Sequence, residues 1–251
     1  MFRVLWNHSN GRRNGRLVNG KLFHLGCDMN LKSRLIYIPV GRAEIQGDLH
    51  IPEQSTSIIV FAHGTGSSRQ SPRNKYVADV LIDVGIATLL IDLLTPDEEL
   101  IDFQTGRFRF DIDLLADRLT AVTHWLRGQS ATNNLHVGYF GASTGAGAAL
   151  LAAGKHPELA EAIVSRGGRP DLAGPWLINV HAPTLLIVGG DDKIVIDLNY
   201  QAAAELKAEH RVEIVANAGH LFEEPGALES VAALARDWFE EHLIVANRRV
   251  A

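Results

Sequence analysis

Cysteine is almost absent from this 251-residue chain. The single Cys27 excludes an intrachain disulfide framework and fits a reducing, cytoplasmic setting. Basic residues are not in excess either. Lys and Arg number 24 against 29 Asp and Glu, a net charge of −5, so no nucleic-acid partner is expected. No apolar run reaches the roughly 20 residues of a membrane-spanning helix, and the first thirty residues lack the apolar core of a secretory signal. No membrane partner is expected. H-E-x-x-H, a Cys/His cluster and G-x-x-x-x-G-K-[ST] are all missing, so neither a metal nor a nucleotide cofactor is expected. There is no internal repeat.

What is present is ample for one large core: 46% of the residues are hydrophobic. The exception is the start of the chain. Residues 1–30 are rich in Asn, Gly and Arg without periodicity, and Met29 directly precedes the first strand-like run. The division read from this is an N-terminal extension over 1–30 and a single domain over 31–251. The extension's basic residues, Arg3, Arg12, Arg13, Arg16 and Lys21, suit a surface tail, while Phe2, Val4, Leu5 and Trp6 suit docking on the domain or a second subunit. A homo-oligomer therefore stays open.

From Ser33 onward, strand-like and helix-like runs alternate. Ser33 to Val40 and Ala43 to Ile51 read as a hairpin across Gly41-Arg42. Thr56–Ala62, Ile86–Leu93, Leu135–Phe140, Ala160–Ser165, Pro183–Gly190 and Arg211–Ala216 are strands, most of them continuously apolar. Helices are expected over Asn74–Val84, Asp111–Leu126, the run from Ala146, Leu198–Ala208 and Pro225–Leu243. Thr95–Phe110 reads as a loop with about one helical turn, its acidic residues Asp97, Glu98, Glu99 and Asp102 forming a solvated face. Such alternation predicts an α/β fold with a mostly parallel central sheet, helices on both faces and no large cap domain.

The stretch Leu135–Leu151, LHVGYFGASTGAGAALL, organises the chemistry. A β-rich run meets Gly141-Ala142-Ser143-Thr144-Gly145 and then a small-residue helix, the strand–turn–helix setting in which G-x-S-x-G presents a nucleophilic serine. Side chains at Gly141 or Gly145 would crowd so tight a turn. A serine needs a base, and the base needs an orienting acid. Both are expected later in the chain, on loops at carboxyl ends of strands. PTLLIVGG runs into Asp191-Asp192, and the form G-G-x-D-x-x-V favours Asp192 as the acid, with Asp191 the alternative. RVEIVANA runs into Gly219-His220, where the general base belongs. His63-Gly64-Thr65-Gly66 closes the Thr56–Ala62 strand. Its place makes the N–H groups of Thr65 and Thr144 the candidate oxyanion hole, with His63 bracing the loop. Gly66, Ser67, Arg69 and Arg166 are candidate substrate contacts, the arginines for a carboxylate or phosphate.

HGTGSS, GASTG, GGDDKIV and NAGHLF, in that order, resemble the α/β-hydrolase superfamily across roughly Ile36 to Leu243. SSRQSPRN (Ser67–Asn74) and SRGGRPDL (Ser165–Leu172) resemble more narrowly its dienelactone-hydrolase-like branch. That resemblance implies a Ser143–His220–Asp192 triad and a cofactor-free acyl-enzyme mechanism on a small-molecule ester. Dienelactone hydrolases carry a cysteine nucleophile, whereas position 143 is serine, so a short-chain carboxylesterase is expected over a lactonase. Amide hydrolysis, acyl transfer or a non-catalytic binding module are the alternatives on the same scaffold.

Overall fold

The computed structural model describes residues 33–244; the expected extension over 1–30, Cys27 included, lies outside the described residues. β1 (Arg34–Val40) and β2 (Ala43–His50) form an antiparallel hairpin. β3 (Ser57–Ala62), β4 (Ala87–Ile91), β5 (His136–Ala142), β6 (Ala162–Arg166), β7 (Thr184–Gly189) and β8 (His210–Val215) complete an eight-stranded sheet of order β1-β2-β4-β3-β5-β6-β7-β8. β2 meets β4 antiparallel; the remaining pairings are parallel. The α-helices are α1 (Pro72–Asp83), α2 (Pro96–Thr105), α3 (Ile112–Arg127), α4 (Thr144–Lys155), α5 (Lys193–Glu205) and α6 (Ala227–Phe239).

Both faces of the sheet are covered, which is why the central strands read as unbroken apolar runs. In β3, Ile58, Val60 and Ala62 join the core under α3 and α4, while Ile59 and Phe61 join the core under α1 and α6. Because the parallel strands end on one edge, the turns after β3, β5, β6, β7 and β8 gather there. Between β6 and β7 lies only a 3-10 segment, Pro170–Asn179, bent at Gly174. Among the described residues no helix is long and apolar enough to cross a membrane.

Three readings of the sequence are corrected. Thr95–Phe110 contains a ten-residue helix, α2, rather than a loop with one turn. A capping box starts it: Thr95 Oγ1 accepts the Glu98 N–H (3.1 Å) and Glu98 Oε2 accepts the Thr95 N–H (2.8 Å). Gly106, at φ 64°, ends it. Apolar periodicity misses α2 because Leu100, Ile101 and Phe103 all stay exposed, Phe103 by 87%. Nor are all its acids a solvated face: Asp97 and Glu99 are exposed, but Glu98 and Asp102 are not. Asp102 is buried and accepts N–H bonds from Phe108 and Arg109 and the Nε–H of Arg109, while Glu98 also accepts from Arg118 at 2.7 Å. Burial pushes the Asp102 carboxyl up, but the bonds from Arg109 and Phe108 outweigh it and hold the group below the usual carboxylate range. Finally, α5 begins at Lys193, five residues before Leu198, since Ile194 in its first turn is 77% exposed and hides the pattern.

The capping box generates a direct expectation. Thr95→Ala removes one of its two bonds and is expected to lower stability by about 1 kcal/mol, read as a lower urea midpoint.

Candidate active site

β5 delivers Ser143 into a turn that few non-glycine residues tolerate, φ 51° and ψ −121°, and α4 begins at the next residue. Crowding explains the neighbouring glycines. A Cβ at Gly145 would lie 2.3 Å from the Ala62 carbonyl oxygen, and one at Gly141 would lie 2.4 Å from Ala146 Cα. The turn is pinned from both sides: the Ser143 N–H donates to the Arg166 carbonyl (3.2 Å), and the Ser143 carbonyl accepts from the Arg169 N–H (3.1 Å). Ser143 is part-exposed.

Asp192 and His220 come together from the turns after β7 and β8. His220 Nδ1 lies 2.7 Å from Asp192 Oδ2 and donates to it, which leaves Nε2 as the free ring nitrogen. Asp191 is exposed, and its N–H bonds to the Ala218 carbonyl. The loop after β6 links this pair to the serine. A Cβ at Gly167 would sit 3.1 Å from the His220 carbonyl oxygen and 3.6 Å from its Cε1, directly after the residue that bonds Ser143.

Thr65 and Thr144 meet although 79 positions apart, their hydroxyls 3.1 Å from one another. This contact carries no sequence signal. Gly64 permits it, since a Cβ there would come within 2.9 Å of Ser143 Cβ. Among the described residues, the N–H groups of Thr65 and Thr144 donate to no protein acceptor. Beside them opens a cavity of about 510 Å³, walled by Leu93, Leu94, Phe103, Leu115 and Pro72, with Arg73 also on its lining. Gly66 and Ser67 line it as well; Arg69 does not. The Arg69 guanidinium is held by Asp92 (2.8 Å) and Asp48 (3.4 Å). Arg166 is buried without an acidic partner among the described residues. Burial, with a smaller push from Arg73, brings it down to about 10, so it remains a cation at neutral pH. No group of three or more His, Cys, Asp or Glu able to hold a metal ion occurs among the described residues.

Residues 45–244 match the Dienelactone hydrolase family. A crystal structure of dienelactone hydrolase from Anabaena variabilis is 55% identical, covers 85% of this chain and 99% of its own, and superposes with a TM-score of 0.84. Esterase Est1E from Butyrivibrio proteoclasticus shares the fold at 13% identity, with a TM-score of 0.71 over 82% of this chain and 98% of its own. A Mycobacterium tuberculosis protein named as a putative phosphoribosyl transferase is 54% identical over 217 residues, 86% of this chain and 48% of that protein. This chain thus spans about half the length of the curated relatives it matches.

His63 is locked by its surroundings. Nδ1 faces the Gly64 carbonyl at 3.0 Å and must donate, while Nε2 accepts the Leu93 N–H at 3.1 Å, so the ring is neutral with its proton on Nδ1. Burial holds its pKa below the ordinary value of 6.5. The unfolded chain therefore binds this proton at a higher pH than the folded protein does. The resulting stability is complete above about pH 6.5 and is lost as pH falls below it. Unfolding in urea between pH 7.5 and 5.5 should show a steeper loss of stability for wild type than for His63→Gln. Parallel pH profiles would sink this assignment.

Proposed function

The chain belongs to the dienelactone hydrolase family, and from that premise we propose that this α/β hydrolase is a serine carboxylesterase with Ser143 as nucleophile, His220 as general base and Asp192 as the orienting acid. The observation that carries the reading is the 2.7 Å His220–Asp192 bond, formed at the β6 exit that also holds the Ser143 N–H. Asp192 fixes the imidazole with its proton on Nδ1, so Nε2 takes the Ser143 proton as the hydroxyl attacks the ester carbonyl. The N–H groups of Thr65 and Thr144, which find no protein acceptor among the described residues, receive the oxyanion, and the hydroxyl bond between these two threonines holds the residues side by side. His220 protonates the departing alcohol; water then repeats the sequence on the acyl-enzyme.

Serine rather than cysteine at 143 supports ester over lactone chemistry. The cavity of about 510 Å³ is of the size that takes a small organic group, and its apolar walls suit a short acyl or aromatic arm. The transferase name borne by the mycobacterial relative belongs to a protein about twice as long. The family match covers residues 45–244 of this chain, and hydrolase chemistry is proposed for this chain on that ground.

p-Nitrophenyl esters of graded chain length test the reading. Wild type is expected to turn over acetate to hexanoate and to fail on palmitate. Ser143→Ala and His220→Ala should each lose roughly 10^4-fold or more in kcat, and Asp192→Asn about 10^4-fold, while Asp191→Asn stays within about threefold. Equal activity of wild type and Ser143→Ala would overturn the mechanism. A larger loss in Asp191→Asn than in Asp192→Asn would reassign the acid.

A further inference from the structure

β8 ends the sheet, and among the described residues no strand pairs with its outer side. It is also poorly covered. None of its six residues is buried, whereas every residue of β3, β4, β6 and β7 is. An open edge is a template for another strand, and proteins blunt it with prolines, bulges or charges. β1, at the opposite edge, carries Pro39 and buries Ile36, Ile38 and Val40. β8, HRVEIV, has no proline, and it pairs with β7 residue for residue without a bulge. Its charges, Arg211 and Glu213, blunt the edge against most strands. Against an antiparallel copy of β8 they do the reverse.

Backbone direction limits how such a copy can pair. The Glu209 and Val215 carbonyls accept from Thr184 and Gly190, on the β7 side. Residues 211 and 213 therefore also turn their polar groups to β7, and His210, Val212 and Ile214 turn theirs outward. The two longest antiparallel overlaps that match these outward groups are centred on Val212 and on Glu213. The second sets Glu213 against the partner's Glu213, and a shorter one centred on Arg211 sets two arginines face to face. Only the overlap centred on Val212 sets Arg211 against the partner's Glu213, twice about the two-fold axis. These are non-hydrogen-bonded positions, where opposed side chains come closest. Arg211 and Glu213 share the α6 face, 3.2 Å apart, with Arg211 held 5.2 Å from the centre of the Trp238 ring. Their side chains are still 46% and 37% exposed. A groove of about 700 Å³ between the end of β8 and α6 leaves this face of the edge open.

We propose that the outer edge of β8 is a homodimer interface. A second copy adds its own β8 antiparallel, in the register centred on Val212, and one sheet runs through both protomers. Pairing covers the strand that leads into the His220 turn, the one strand without a buried residue. The interface is small, so dimer and monomer are in equilibrium. None of this depends on the esterase reading, and no readout below uses catalysis.

Sedimentation equilibrium of the full chain between about 1 μM and 1 mM spans the affinities that so small an interface gives. Wild type should pass from monomer to dimer across that range. R211E and E213R should each weaken association roughly tenfold or more, because each sets like charges opposite one another, and R211E/E213R should restore it. V212P should abolish association and keep the fold, since the N–H it removes points away from β7. Amide exchange followed by NMR locates the contact. The N–H groups of His210, Val212 and Ile214 should gain protection with concentration, while those of Arg211 and Glu213 stay protected throughout. A monomer at every concentration overturns the proposal, as does a dimer that R211E and V212P leave unchanged. Protection of His210, Val212 and Ile214 at every concentration also overturns it, because another segment of the chain then covers the edge. Should V212P not fold, the two charge reversals and their combined rescue decide.

Discussion

The near-contact of α4 with the end of β3 governs the architecture of the site. The backbone at Gly145 approaches Ala62 and His63 so closely that a methyl group would overlap both carbonyl oxygens. Only glycine allows that approach, and the approach in turn forces the reversal at Ser143, whose φ of 51° is strained for a residue with a side chain. The strain persists because hydrogen bonds from the β6 exit loop hold the Ser143 peptide on both sides. The same proximity brings Thr65 against Thr144, two residues from distant parts of the chain, with their hydroxyls 3.1 Å apart. The proposed nucleophile and the proposed oxyanion hole are thus two consequences of one packing constraint.

Around that turn, the polar groups divide by whether the protein itself satisfies them. His63 spends both ring nitrogens on backbone groups, and Asp102 is enclosed by donors from Phe108 and Arg109. These are structural pieces, holding the loop after β3 and the chain after α2. Among the described residues, His220 keeps one ring nitrogen free, the N–H groups of Thr65 and Thr144 are unpaired, and Arg166 has no counter-charge. Unsatisfied groups cost stability, so their concentration at one edge of the sheet is expected where substrate atoms complete the bonding.

Some of this was legible residue by residue. Continuous apolar runs gave away the doubly covered strands, because burial on both faces removes the need for alternation. GASTG, GGDD and AGHLF lie at strand ends, where local turn chemistry and chain order are enough to nominate a serine, an acid and a histidine. α2 was legible only through its caps. The pattern T-P-D-E was present, but a helix whose apolar residues face outward has no periodic signature, so hydrophobicity alone assigned it to a loop. The start of α5 lacks a periodic signature for the same reason, at exposed Ile194.

By itself, then, the sequence determined the fold class, the strand–turn–helix around Ser143 and the order of the proposed site residues, because each depends on interactions between near neighbours in the chain. Tertiary structure alone decided the rest. Local pattern favours Asp192 over Asp191 as the acid but brings neither to a histidine; the path of the chain after β7 turns Asp191 outward and Asp192 onto His220. Likewise Arg69 and Arg166 are both arginines at strand-end loops in the sequence. Folding surrounds Arg69 with carboxylates from β2 and the end of β4, and leaves Arg166 beneath Phe222 with none. The difference is electrostatic and long-range, set by which elements pack together, and no local window of residues contains it.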